Sequence, residues 1–400
     1  MSVSSVAGLG FLSLFAPMAV AYQALAIRHV RRFHRAPVPA VSFQPPVSLL
    51  KPLCGDEPRL YECLRSFCTQ DYPAFQLVFG VRSANDPAVA TVRRLQAEFP
   101  ALDLTLVTDA REHGVNPKVS NLINMMAACR HDVLVVADAD VEVGRHALAA
   151  VVAPLADPTV GAVTCPYQGV PVNGIAARLG ALHISDYFLP ATVVDEALGG
   201  VDGLFGPLSA LRRSALAAIG GFAAVRDHLA EDNRLGRLIA RTGWRVVLSR
   251  HTVDTMVGET SLAALLRHEI RWARTGRSCR GAAHLMLPIT FPLPFLLGLL
   301  ALQPSWAAGG AVLLIGLLRL VLHYSLRQRF RMRFPASPWL LPLRETLSCA
   351  VWLASLVDGP VRWRDHEYRL LKNGQLRPLP CPARGGSVSR RVDAVRSIGF

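Results

Sequence analysis

The run His131-Asp-Val-Leu-Val-Val-Ala-Asp138-Ala-Asp140-Val-Glu142 limits what this chain can become more than any other stretch. Branched apolar residues lead straight into two carboxylates spaced two apart. A short, near-continuous apolar run of this kind belongs to a parallel strand covered by helices on both faces. In an open α/β sheet, ligands bind in the crevice outside the carboxyl ends of the strands. Asp138 and Asp140 are therefore expected at the rim where a substrate docks. Together they make a hard-oxygen site for Mg2+ or Mn2+, and such a metal can hold a diphosphate. An Asp-x-Asp at a strand end is also ordinary turn chemistry. The rest of the chain decides between the two.

From Val47 onward, β-like runs alternate with helical ones. Val47–Leu53, Phe75–Val81 and Leu102–Val107 read as strands, and Pro58–Phe67, Asp86–Phe99 and Ser120–Cys129 as helices. Further strand candidates follow at Gly161–Cys165, Leu204–Leu211 and Trp244–Leu248. This rhythm predicts an α/β fold, with a mostly parallel sheet and helices on both faces, over residues 47–258. No G-x-G-x-x-G or Walker-type loop occurs, which argues against dinucleotide and P-loop proteins.

The remainder is oily. Val6 to Ile27 is 22 residues without a charge, followed by Arg28, Arg31, Arg32 and Arg35. A cleavable signal carries its positive charges before the apolar core, and here they come after it. Residues 1–28 therefore read as an uncleaved transmembrane anchor and 29–46, with Pro37, Pro39, Pro45 and Pro46, as a basic, stiff linker. Leu285–Leu302 and Gly310–Leu326 read as two C-terminal spans. Pro335–Val357 contains prolines and the pair Arg344-Glu345, so it either spans or re-enters, and residues 284–358 form the C-terminal membrane region. Residues 359–400 form a basic tail. The segment 172–200, apolar with few charges, is a candidate for the membrane surface.

The formal net charge of +14 raises the question of nucleic acid. Windows 28–35, 267–280 and 327–333 hold thirteen arginines, and each lies beside a long apolar segment. That is the pattern of a protein whose basic flanks face the cytoplasm and anionic lipid. Aromatic and basic residues are not interleaved as in single-strand binders, so no nucleic-acid partner is expected. The eight scattered cysteines include no Cys-x-x-Cys pair and read as reduced thiols in a cytoplasmic domain.

Four more places carry chemistry. Asp86, just past a strand end, can accept hydrogen bonds from a nucleoside, or can simply cap a helix. Glu231-Asp232 opens a helical run, where a carboxylate can deprotonate an acceptor hydroxyl or complement the helix dipole. His268, Arg271 and Trp272 follow one another at i, i+3 and i+4, so they share one face of a basic helix over 259–283. Arginine can hold a diphosphate through paired hydrogen bonds, and tryptophan can border an apolar acceptor. Lys118, one helix before the Asp-x-Asp strand, can face the same diphosphate.

As an ordered set these segments resemble a membrane-bound inverting glycosyltransferase of family 2 with a GT-A catalytic domain. More narrowly, the chain is similar to ceramide glucosyltransferases and bacterial hopanoid-associated glycosyltransferases. The matching segments are Lys51-Pro52, Asp71-Tyr-Pro73, Asp86-Pro-Ala88, Gly114 to Lys118 with Asn121-Leu122, Asp138, Glu231-Asp232 and Arg271-Trp272. Trp363-Arg364 and Tyr368-Arg-Leu370 resemble the family's tail.

The resemblance implies that Asp86 contacts uridine, Asp138 the nucleotide and metal, and Asp232 serves as catalytic base. It also implies that Arg271 stabilises departing UDP and that Trp272 borders the acceptor. Where the family carries Gln or Arg four residues before that tryptophan, this chain carries His268. The second carboxylate varies in the family, so Asp140 as a metal ligand is a chemical inference.

The resemblance implies transfer of one hexose, glucose or N-acetylglucosamine, from a UDP-sugar to a membrane lipid, ceramide or a hopanoid polyol. The setting it implies is a bacterial inner membrane with the catalytic domain in the cytoplasm. A processive polysaccharide synthase shares the carboxylates and the Arg-Trp helix but needs more spans, and a non-catalytic scaffold would not need every carboxylate. Oligomeric state is not legible.

Overall fold

The computed structural model describes residues 3–33, 43–363, 366–371 and 373–379. Pro37 and Pro39 of the expected linker, and Arg364 and Lys372 of the tail, lie outside them. The chain opens with helix α1 (Val3–Arg32). There follow β1 (Val47–Pro52), α2 (Leu60–Cys68), β2 (Phe75–Val81), α3 (Ala88–Glu98), β3 (Asp103–Thr108), α4 (Pro117–Met125) and β4 (Val133–Ala137). Next come β5 (Val141–Glu142), α5 (Ala147–Val152), β6 (Val160–Thr164), β7 (Tyr167–Pro171), α6 (Gly174–His183), α7 (Leu189–Leu198), β8 (Leu208–Arg212) and α8 (Arg213–Ala218). The α/β region closes with α9 (Glu231–Arg241), β9 (Arg245–Leu248) and β10 (Val253–Val257). The C-terminal part holds α10 (Leu262–Arg280), α11 (Leu293–Leu302), α12 (Trp306–Phe330), α13 (Leu341–Leu356) and a small sheet of β11 (Val361–Trp363), β12 (His366–Leu370) and β13 (Leu376–Pro378).

The main sheet has the order β3-β2-β1-β4-β8-β6-β9. Its first four strands are parallel, as the sequence predicts, while β8 runs against both β4 and β6. Side chains alternate between faces along a strand. Leu49, Leu77 and Val135 accordingly pack with α2, α3 and α5 in one core. Leu50, Val78 and Val136 pack with α4, α8 and α9 in the other. The register pairs Leu50 with Val136 and Pro52 with Gly80. Parallel strands in register end on one edge, so the chain after β1, β2 and β4 emerges there together. That edge carries Asp138.

A second sheet, β5-β10-β7, was not legible in the sequence. It stacks beside the Asp138 edge, and Met256 N donates to Asp140 O at 2.8 Å, holding the second aspartate's backbone.

Residues 172–200, the candidate for the membrane surface, are packed within the protein over most of their length. They form α6, a π-helical turn (Ile184–Phe188) and α7, wedged between the sheets and the long helices. Leu179 and Leu182 pack with Leu265, Leu340 and Leu341, and Leu189 and Val193 with Ala26, Val30 and Leu322. The expected span Leu285–Leu302 is also not one straight helix. Gly281–Thr290 continues α10 as a 3-10 stretch, and α11 departs at 64° after the break. Pro288, Pro292 and Pro294 cluster there, and proline removes the donors a continuous helix needs. Among the described residues α12 is long and apolar enough to cross a membrane, and the bent pair of α10 and α11 makes up to two. With 16 residues, α13 measures ~24 Å, short of the ~30 Å hydrocarbon core.

Candidate functional site

Asp138 leaves β4 at the sheet edge and meets a lysine from each side. Lys118 Nζ lies 2.6 Å from Asp138 Oδ1 and 2.8 Å from Glu231 Oε1, bridging the Asp-x-Asp strand to the start of α9. Lys118 is delivered by α4, whose N-cap Asn116 accepts from Val119 N at 3.1 Å and donates to His228 O at 2.8 Å. Buried Lys51 of β1 donates from Nζ to Asp138 O at 2.8 Å, with its ammonium 3.7 Å from the centroid of the Phe67 ring. Sequence reasoning noted Lys51 as part of a motif without giving it this task.

Asp232 comes to the same place. A Cβ added at Gly206 would lie 2.7 Å from Asp138 Oδ2 and 3.3 Å from Asp232 Oδ2, so both carboxylates lean on one glycine. Any side chain at that position would push into one of them. Asp232 Oδ1 accepts from Asn233 N at 2.7 Å, which leaves Oδ2 as the oxygen on the glycine side.

Crowding of like charge shapes the acidity. Burial, then the neighbouring Asp138 and Glu57, push Asp140 up to about 7. Burial, then Glu231, push Asp232 up to about 7. Burial alone would pull Lys118 down, but Asp138, Glu231 and Asp232 outweigh it and hold the ammonium well above its ordinary range. Lys51, with less compensation for its burial, falls to about 8.

On α10, whose N-cap Ser261 accepts from Ala264 N at 3.2 Å, the sequence spacing works as predicted. His268, Arg271 and Trp272 all line the same cavity as Asp138, Asp140, Lys118, Glu231 and Asp232. That cavity has a volume of about 1020 Å³. It is bounded elsewhere by Leu287, Phe291, Val351 and Trp352 of the C-terminal helices. Residues distant in sequence thus give one chamber a charged part and an apolar part.

Asp86 is the exception among the sequence-predicted residues. Its carboxylate accepts from Gly55 N at 2.9 and 3.1 Å and from Ala88 N at 3.0 Å. It is absent from the cavity lining, to which Cys54 and Glu57 of the loop it holds do contribute. Glu57 and Arg82 were not singled out beforehand. Neither sits in a motif, and only the common strand edge brings them in.

Among the described residues no group of three or more His, Cys, Asp or Glu is arranged to hold a metal ion. Asp138 and Asp140 offer two carboxylates, and a diphosphate's oxygens would complete a hard-oxygen shell. Burial, and after it the negative charge of Asp138 and Glu57, raise the pKa of Asp140, and a divalent cation relieves that repulsion. The donor set fits Mg2+ or Mn2+.

Residues 11–376 match the family model described as glycosyl transferase family 21. The chain belongs to glycosyl transferase family 21. The resemblance to ceramide glucosyltransferases drawn from the motifs holds under that family number. Ceramide glucosyltransferase 3 of Caenorhabditis elegans is 24% identical over 94% of this chain and 83% of its own length. An N-acetylglucosaminyltransferase of Bradyrhizobium diazoefficiens is 28% identical over 58% of this chain and 49% of its own. Among solved structures, a mannosyltransferase from Pyrobaculum calidifontis, in complex with GDP-Man and Mn2+, superposes with a TM-score of 0.55 at 22% identity. It covers 86% of this family-21 chain and 99% of its own. The expected GT-A sheet is thereby matched at the level of fold.

Proposed function

We propose that this protein transfers one hexose from a UDP-sugar to the hydroxyl of a membrane lipid, with inversion at the anomeric carbon. The observation that carries the reading is the cavity. Its lining joins Asp138, Lys118, Asp232 and Arg271 to Leu287, Phe291, Val351 and Trp352, so a charged donor and an oily acceptor can meet in one chamber.

Each residue then has a task. Asp232 takes the proton of the acceptor hydroxyl as that oxygen bonds to the anomeric carbon and the bond to UDP breaks. A carboxylate with a pKa of about 7 is half in its basic form at neutral pH, close to the optimum for a general base. Arg271 and Lys118 offset the charge gathering on the departing diphosphate. A divalent ion held by Asp138 and Asp140 supplies further neutralisation of that charge. Asp86 shapes the uridine end by fixing Gly55 in its loop, and Trp272 borders the acceptor.

A lipid acceptor does not travel through water, so the chamber has to open against a bilayer. Helix α12 as a span, α1 as an anchor and the arginines of α10 at the anionic surface would hold it there, with the sheets in the cytoplasm beneath an inner membrane. The relatives' names support glucose as the donor over the longer match and N-acetylglucosamine over the shorter one.

The test uses purified full-length protein in detergent with Mg2+ or Mn2+. It is offered UDP-glucose and UDP-N-acetylglucosamine against a ceramide and a hopanoid polyol, and glycolipid is followed by mass spectrometry. A single glycolipid carrying one sugar is expected. A ladder of added sugars, or no product from any combination, would sink the reading.

A further inference from the structure

His268 stands where the family resemblance calls for glutamine or arginine, and its surroundings suit an imidazole. Its Nδ1 is hydrogen-bonded to Glu259 Oε1, from the loop between β10 and α10. Its ring meets Trp272 at 4.1 Å between centroids, tilted by 60°. A second imidazole, His183 at the end of α6, lies 6.5 Å from the same tryptophan and nearly parallel to it, at 25°. His268, Trp272 and His183 all line the cavity.

Two buried polar atoms in this group, Glu259 Oε2 and His183 Nδ1, have no hydrogen-bond partner among the described residues. Helix α6 packs tightly here. A Cβ on Gly180 would sit 3.0 Å from Leu265 and 3.8 Å from Glu259 Oε2. An alkyl chain asks only for apolar walls, whereas two imidazoles lining a cavity carry a desolvation cost unless polar groups meet them. The polar groups are concentrated around the tryptophan that borders the acceptor, which points to the acceptor's head rather than its tail.

The carboxylate of Glu259 also sets the chemistry that His268 presents. Glu259, as the hydrogen-bonded partner of Nδ1, places a proton there and leaves Nε2 as the acceptor, because the partner of one ring nitrogen determines the role of the other. Resting on the lipid-alcohol reading above, we propose that His268 accepts a hydrogen bond from a second hydroxyl of the lipid, beside the one that is glycosylated. Glu259 fixes the tautomer and Trp272 the plane. The protein thereby selects diol-type heads over simple alcohols.

The experiment uses the full chain in detergent with Mn2+, both UDP-sugars and two acceptor pairs. One pair is a ceramide and its 3-deoxy analogue, the other hexadecane-1,2-diol and hexadecan-1-ol. In whichever pair the wild type uses, the member with the second hydroxyl is expected to lead by about tenfold or more in kcat/KM, mainly through KM, as one well-placed hydrogen bond allows. His268→Ala should collapse that ratio towards one, while His268→Gln, whose carbonyl also accepts, should keep most of it. Equal use of both members by the wild type, or equal loss on both in His268→Ala, overturns the proposal and leaves the lipid-transferase reading standing. Glycolipid from none of the four acceptors overturns this proposal, and none from the hopanoid polyol either overturns the lipid-transferase reading with it.

Discussion

Two regions of this molecule bury charge, and they do it in opposite ways. Among the helices, charges are matched. Arg344 meets Glu269 through two contacts of 2.7 Å, Arg319 Nε lies 2.8 Å from Glu345 Oε1, and His323 Nδ1 lies 2.7 Å from Asp186 Oδ1. None of these six side chains is more than 2% exposed. At the sheet edge the charges are unequal. Glu57, Asp138, Asp140, Glu231 and Asp232 share chiefly Lys51 and Lys118, and two of the five carboxylates are pushed up to about 7.

A matched buried pair contributes little net stability but is costly to break, so it fixes which helix faces which. An unmatched cluster is a poor scaffold and a good site. It favours an incoming cation and keeps a base near the pH at which it works. The matched pairs reach the site mechanically, because Glu269 sits one residue from His268 on α10 and Arg344 ties that helix to α13.

The comparison can be broken at several points. The largest expected effect is at the unmatched end. Asp232→Asn should lower turnover by about 10²–10⁴-fold, the usual worth of a general base, with UDP binding preserved in calorimetry. Retained turnover would remove Asp232 from that role.

Next comes the matched end. Arg344→Met leaves Glu269 buried without its partner and should cost about 3–5 kcal/mol, read as faster thermal inactivation in detergent. The double change with Glu269→Met should recover most of it. A silent single variant would mean that the pair is not what holds α10 to α13.

Asp138→Ala should weaken metal-dependent UDP-sugar binding at least about tenfold, as loss of a metal ligand does, while metal-free binding changes less. Unchanged affinity with metal would take Asp138 out of that site.

The smallest effect concerns acidity. With Asp232 as the proposed base, kcat/KM should rise with pH through an acid limb near its pKa of about 7. Lys118 lowers that pKa, so Lys118→Met should move the limb to higher pH. A limb that stays put would show that Lys118 neutralises Asp138 and Glu231 alone.

How much of this was legible depends on the range of the interaction involved. The strand leading to Asp138 was legible because a strand buried on both faces needs a continuous apolar run, and that requirement is local. The face shared by His268, Arg271 and Trp272 was legible because helical spacing is local too. Strand β5 was not, since it is two residues long and exists only by pairing with β10, more than a hundred residues later. The bend at Pro292 was not legible because hydropathy counts apolar residues and ignores the missing donors, while the bent pair together still passes as a broken span or a re-entrant loop. Asp86 shows a middle case. The sequence left helix cap and nucleoside contact open, and the structure puts its carboxylate on Gly55 N and Ala88 N.

By itself, then, the chain's sequence determined the strands of the main sheet and which residue types are set beside strand ends, because periodicity and capping act over a few residues. Tertiary structure alone decided that Lys118 bridges Asp138 to Glu231, that Gly206 seats two carboxylates, and that Phe291 and Trp352 share a chamber with them. Those contacts join segments far apart in the chain, and only the packing of the sheet edge against the helices brings them within reach.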